Sequence, residues 1–326
     1  MPRLHGAPRS LGVALVALVM ASCGGAGSSA PPGSSPYIDG FNPRAVPAGA
    51  TRFVTPTITN IQPGDDKLYC QWLAAPAETD QDVLALSGQQ SPHGHHVVLY
   101  ATTANEPVGT SRECTSEDMV AVRFLGGAGG EGVNAVQLPA GVVFRLPKGQ
   151  ALMANVHFIN PTSQTIEGQA VIDATFAAPD ASRQIANMFV NTTVSLTIPA
   201  HASGYTVDLK CKAQRDLPLL LMADHMHAYG VAAHTDVIRS SGQTDSLVSD
   251  ATWSSELQFN PKFASFPVGQ PMVIHAGDVV HTQCTWNGDA NKALTFPTEM
   301  CAGIGFYVVP SGGTEVACVD GQWPSR

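Results

Sequence analysis

Charge is scarce in this sequence. Only 13% of its 326 residues are Asp, Glu, Lys or Arg, while 44% are hydrophobic. That balance excludes a disordered polyelectrolyte and leaves ample material for a buried core. The net charge of −9 supplies no excess of cations. A nucleic-acid partner, whose phosphates need Lys and Arg, is therefore not expected. No stretch keeps a helical period for long, and no tract beyond the N-terminus is apolar for the ~20 residues a bilayer-spanning helix needs. None of the seven cysteines forms a CxxC pair, which argues against a zinc knuckle or a thioredoxin-like redox site.

Turn-forming residues are abundant instead, with 31 glycines and 24 prolines. Between them lie short runs such as 96–103 (HVVLYATT), 152–159 (LMANVHFI), 193–198 (TVSLTI) and 205–211 (YTVDLKC). Many alternate apolar and polar side chains, as half-buried antiparallel strands do. The expectation is an all-β chain of two tandem antiparallel β-sandwich (jelly-roll) domains, over 46–178 and 183–326. The polar, Pro-containing stretch 177–186 marks the boundary between them.

The first 22 residues carry Arg3 and Arg9 ahead of an apolar run from Leu11 to Met20. This is the pattern of a secretory signal peptide, too short for a spanning helix. The small residues before Cys23 resemble a bacterial lipobox, which implies cleavage there and a lipid on the Cys23 sulfur. A flexible tether rich in Gly, Ser and Pro is expected over 23–45. The protein is thus expected in the cell envelope, membrane-attached through Cys23 and monomeric. Disulfides persist in such a compartment. Without Cys23, six cysteines remain: Cys70, Cys114, Cys211, Cys284, Cys301 and Cys318. Six allow 15 connectivities. If no bridge crosses the boundary, Cys70 pairs with Cys114 and three arrangements stay open.

Histidines cluster where chemistry is expected. His93, His95 and His96 crowd into one segment, His225 and His227 flank Met226, and His157 sits inside a strand pattern. Neutral imidazole suits Cu, Zn, Fe or Ni. Strand residues i and i+2 share a face, so His225 and His227 can hold one ion while Met226 faces away. Adjacent strand residues face opposite sides. His95 and His96 can share an ion only at an irregular strand start, and Pro92 and Gly94 make one plausible.

The succession HHVVLY, NVHF, HMH and EMC resembles the copper type II, ascorbate-dependent monooxygenases, the family of the peptidylglycine- and dopamine-hydroxylating enzymes. The resemblance runs from about Cys70 to Cys318. It implies a first copper on His95, His96 and His157 that stores an electron. It implies a second on His225, His227 and Met300, where O2 meets a small organic substrate and one oxygen atom enters a C–H bond. His225, His227 and Met300 are then the catalytic set, with ascorbate or another one-electron donor as reductant. A soft thioether favours Cu(I). The resemblance also implies the pairs Cys70–Cys114, Cys211–Cys318 and Cys284–Cys301.

Departures from the family bear on substrate. The peptide-amidating members carry an Arg two residues before HMH and an Asn and a Tyr after the Met. Here those positions are Ala223, Ala302 and Ile304. A peptide carboxylate loses its cationic anchor. Asp224 is expected either to favour an amine or to support His225. His93 is an extra histidine, and His201, His234, His275 and His281 are expected to be structural. Two alternatives to an enzyme stand beside this reading. One is a copper-buffering lipoprotein on the same fold, and the other is an adhesion sandwich without stoichiometric metal.

Overall fold

The computed structural model describes residues 35–326 apart from 75, 77, 105, 121, 130–137, 259–260, 290, 297, 309–314 and 324–326. The signal peptide, Cys23 and the start of the tether lie outside the described residues. Pro36–Arg326 cluster as one compact unit. Among the described residues helix is confined to Ser116–Val120 and a 3-10 turn at Ser255–Gln258, and no helix is long and apolar enough to cross a membrane. The remainder is strands and turns, an all-β sandwich fold.

Strand alternation decides which faces are buried. Along Val279–Trp286, Val280, Thr282, Cys284 and Trp286 turn inward while His281, Gln283 and Thr285 turn outward. A five-stranded sheet holds Asp66–Leu73, Leu152–Ile159 and Gly94–Thr102 side by side. A four-stranded sheet holds Tyr205–Lys212, Val279–Trp286, Gly230–Ile238 and Thr244–Asp250. A ten-stranded sheet contains strands from both halves of the chain. Leu99, Leu125, Val156 and Phe158 pack with Ile172, Phe144 and Leu146 in one core; Leu217, Leu219, Val280 and Tyr307 lie in another.

The halves meet within the long sheet. Gln184–Thr192 runs antiparallel to Ala302–Val308 and, through Gln184 and Ile185, parallel to Val142–Leu146. The Phe306 ring lies 5.5 Å from Phe124 and 5.6 Å from Phe144. Arg183, at the end of the boundary stretch, is fastened to the buried Asp82, which also holds Arg145; the distances are 2.9 and 2.5 Å.

Of the stretch 23–45 expected as a tether, described residues from Pro36 onward are held against the sheet. Phe41 is buried, Ile38 N–H donates to Gln169 Oε1 and Arg44 N–H donates to Gln89 Oε1. Aromatic packing of Tyr37 on Phe41 and these two amide acceptors fix the stretch against the sheet. The GSSP composition that suggested flexibility ends at Pro36.

Three disulfides join Cys70 to Cys114, Cys211 to Cys318 and Cys284 to Cys301. None links residues on opposite sides of the 177–186 stretch.

Candidate metal centres

A β-bulge builds the first centre. On the strand Leu152–Ile159, His157 and Phe158 are neighbours, yet their partners across the ladder are His96 and Gly94. His95 is the extra residue, and a bulge re-aims its side chain. Two local features support it. His93 takes a left-handed conformation with φ of 69° in the turn before it. A Cβ at Gly94 would sit 2.2 Å from Gln90 Cβ, so only glycine fits that close approach. His93 therefore shapes the turn, and its carbonyl accepts from Ile159 N–H.

The result is a convergent trio. One ring nitrogen from each of His95, His96 and His157 lies within 4.8 Å of the others. His95 Nδ1 and His157 Nδ1 are 3.2 Å apart. Two imidazoles each about 2.0–2.1 Å from a shared ion have nitrogens at about that separation. The outer edges of two rings are held. Asp66 Oδ1 takes the His157 Nε2–H at 2.6 Å, and Asn155 Oδ1 lies 3.2 Å from His96 Nε2. Asn155 in turn donates to the disulfide sulfur of Cys114 at 3.1 Å. Burial pushes the His95 imidazole down to about 4, and His157 adds to the fall. Burial also holds His96 well below its ordinary value. Both are therefore neutral near pH 7, the form that binds a metal. The hydrogen bond from His157 lowers the Asp66 carboxyl, so that group is an anion there.

The second group lies at the end of the strand Leu217–His225. His225 is its last residue, and the chain then turns through Met226 and His227. Met226 is fully buried and packs in a core cluster with Trp253, Trp286 and the Cys284–Cys301 bridge. The His225 and His227 rings sit 5.2 Å apart at 88°. Burial pushes His225 down to about 3, and burial also lowers His227.

The segment carrying Met300 is fastened to this pair on both sides. Before it, the Thr298 carbonyl accepts from His227 Nδ1 at 3.0 Å, which leaves Nε2 for an ion. Glu299 is fully buried and accepts from the His227 N–H, the Tyr229 N–H and Trp286 Nε1–H at 3.1, 2.7 and 2.9 Å. After it, Cys301 is bridged to Cys284 and Ala302 stands opposite His225 in the ladder. Met300 is half-buried between these anchors. Imidazole and thioether are donor types that suit copper, Cu(I) above all. The two groups also feel one another: the field of His157 opposes protonation of His227, and Asp66 favours it.

Asp224 does not serve as an exposed amine anchor. It is fully buried, stands opposite Gly303 in the ladder and accepts from Thr235 Oγ1 at 2.7 Å. A Cβ at Gly303 would lie 2.6 Å from Thr282 Oγ1 and 2.8 Å from Thr235 Oγ1, so glycine leaves room for this packed polar cluster. Burial pushes the Asp224 carboxyl up to about 7 against that hydrogen bond. Ala223 and Ile304 are ladder partners, as are His225 and Ala302. With period-2 alternation these four share the face opposite to Asp224. An apolar wall, not a charge, thus flanks His225.

Asp66, Asn155 and Glu299 were not singled out from the sequence. Each is brought to its histidine by strand pairing or by a loop far along the chain. Asn155 and Glu299 had a signal, since they open the NVHF and EMC motifs, and Asp66 had none. His201 lies apart from both groups, in a turn with φ of 60°. His275 pairs with Asp216 at the surface.

Residues 182–318 match the family model of the copper type II ascorbate-dependent monooxygenase, C-terminal domain. Over 220 residues the chain is 22% identical to peptidyl-glycine alpha-amidating monooxygenase A of Xenopus laevis, covering 64% of this chain and 22% of that protein. The chain thus spans about a fifth of the length of the curated relative it matches. Among solved structures it is similar to PNGase F, a glycosylasparaginase from Flavobacterium meningosepticum (TM-score 0.37, 9% identity, 82% of this chain and 98% of that one). It is also similar to the major capsid protein P2 of bacteriophage PM2 (TM-score 0.30, 11% identity, 80% and 98%). Over residues 182–318 the chain is thus similar to the C-terminal domain of the copper type II ascorbate-dependent monooxygenases.

Proposed function

We propose that this protein is an exported, copper-dependent monooxygenase that hydroxylates a C–H bond of a small organic substrate, using O2 and ascorbate or another one-electron donor. The observation that carries the reading is the pair of donor groups: three imidazoles drawn together by a bulge, and an HMH turn tied on both sides of Met300. Two copper ions, one at His95, His96 and His157 and one at His225, His227 and Met300, would supply electron storage and oxygen activation.

The chain's own residues supply position. Asp66 and Asn155 fix the His157 and His96 rings, as the outer partners of metal-binding histidines do. Thr298 and Glu299 fix His227. Ala223 and Ala302 are buried and Ile304 is half-buried, so the positions of the family's Arg, Asn and Tyr offer a substrate no charged group beside His225. The signal-like N-terminus and Cys23 support a lipid-anchored protein of the cell envelope, acting as a monomer.

The loss of the family's Arg, Asn and Tyr equally supports a second reading, copper buffering without turnover. One experiment separates them. Copper-loaded protein is given ascorbate and O2, and oxygen uptake is followed beside metal content. The enzyme reading expects two coppers per chain and steady O2 uptake. It expects Met300→Ala to lose nearly all uptake while still holding copper at the histidine trio. Two bound coppers without uptake under any donor support buffering. Fewer than two coppers, or full activity in Met300→Ala, overturns the enzyme proposal.

A further inference from the structure

The outer face of the four-stranded sheet carries a third group of metal donors. His234 and Asp236 are two residues apart on the strand Gly230–Ile238, so their side chains leave the same face. Asp236 stands opposite His281 of the strand Val279–Trp286. One donor atom from each of His234, Asp236 and His281 lies within 4.8 Å of the other two. His234 Nε2 and Asp236 Oδ2 are 3.6 Å apart, and the two rings are 5.8 Å apart at 82°. From the neighbouring strand Tyr205–Lys212, Asp208 Oδ1 takes a hydrogen bond from His281 Nε2 at 2.7 Å and another from Gln283 Nε2 at 2.9 Å.

These residues lie on the opposite side of the sheet from the core. Between His234 and Asp236, Thr235 points inward to Asp224 and Thr282. The donor groups are partly covered, with His281 15%, Asp236 19% and His234 33% exposed. An ion there meets solvent on one side only. Two carboxylates balance its charge, and Lys210, across the ladder from His281, and Lys212 are the cations on the adjoining strand. A carboxylate that holds a ligand histidine fixes its ring, and Asp208 stands in that position to His281.

We propose a third metal site, formed by His234, Asp236 and His281 with Asp208 as the carboxylate partner of His281, that takes a divalent transition-metal ion. Two imidazoles and a carboxylate are borderline and hard donors, the set that zinc takes readily. It contains no sulfur, so it has no preference for Cu(I). It is separate from the two copper groups and does not depend on their assignment.

The test uses the full chain with Zn(II) as the probe. Metal-free protein is first saturated with Cu(I) under anaerobic ascorbate, then titrated with Zn(II), and bound metal is counted after desalting. Wild type is expected to take one further equivalent of zinc. The double variant His234→Asn, His281→Gln is expected to take none, and Asp208→Asn to bind zinc about 10–100-fold more weakly. Co(II) in place of Zn(II) is expected to give a d–d absorption in wild type that the double variant lacks. Thermal melting verifies that the variants are folded, as substitutions of partly exposed residues allow. If wild type takes no zinc beyond copper, or the double variant takes as much as wild type, the site does not exist. Should Cu(I) fail to bind at all, the difference in zinc between wild type and double variant still decides the matter.

Discussion

Glu299→Gln is the sharpest probe of the HMH turn. The carboxylate receives three donors in a fully buried place, His227 N–H and Trp286 Nε1–H on one oxygen and Tyr229 N–H on the other. A glutamine can turn its carbonyl oxygen to the first two. Its amide then meets the Tyr229 N–H, donor against donor. One buried donor without an acceptor costs about 1–3 kcal/mol. Exchanging two charge-assisted bonds for neutral ones costs about 1 kcal/mol each. Removing a buried charge recovers part of its desolvation, which brings the net loss to about 2–4 kcal/mol. Melting should fall by about 5–10 °C. The His227 ring is fixed through the same turn, so Cu(I) affinity at the second group should fall about 10–100-fold, with the histidine trio unaffected. Calorimetric melting and competition against a chromophoric Cu(I) chelator measure both. A variant that melts within about 2 °C of wild type and keeps its copper affinity would refute the claim that Glu299 positions His227.

Two further perturbations act elsewhere. Asp66→Asn removes the anion that accepts from His157 Nε2 at 2.6 Å; copper affinity of the first group should drop about 10-fold or more while the second keeps its metal, read by the same competition. Glu315 has its carboxyl pushed up to about 7 by burial, against a hydrogen bond from Met188 N–H and the charge of Arg123. Its folded value lies above the unfolded one, so the folded state holds the extra proton between about pH 4.5 and 7, and stability falls as pH rises through that window. Glu315→Gln should flatten the urea-midpoint profile there by about 2 kcal/mol after allowance for partial exposure, and an unchanged slope would exclude Glu315 as its source.

The legible part of this protein is what two-residue alternation and local spacing encode. The run 205–211 reads as a half-buried strand and lies in one, Tyr205–Lys212. Met226 was expected to face away from its flanking histidines and is fully buried. The irregular start at Pro92–Gly94 was readable too, because adjacent histidines on a regular strand cannot share an ion. What was not readable depends on partners distant in sequence. Asp66 lies 91 residues from His157, and nothing local to either residue announces the hydrogen bond. Asp224 looked available for a substrate amine, and only the ladder register turns it inward toward Thr235. That Ile38 and Arg44 are held in place was not readable either, because Gln169 and Gln89, which accept from their N–H groups, lie far along the chain. His234 and His281 looked merely structural, since their shared neighbourhood exists only after two strands pair.

The strand Gln184–Thr192 touches the ladders of both halves, and Asp82 fastens Arg183 beside it. Prising the histidine trio away from the HMH turn would therefore mean tearing peptide hydrogen bonds and a buried ion pair, not swinging a hinge. On the proposed function, the span an electron would have to tunnel between the two groups is set when the chain folds.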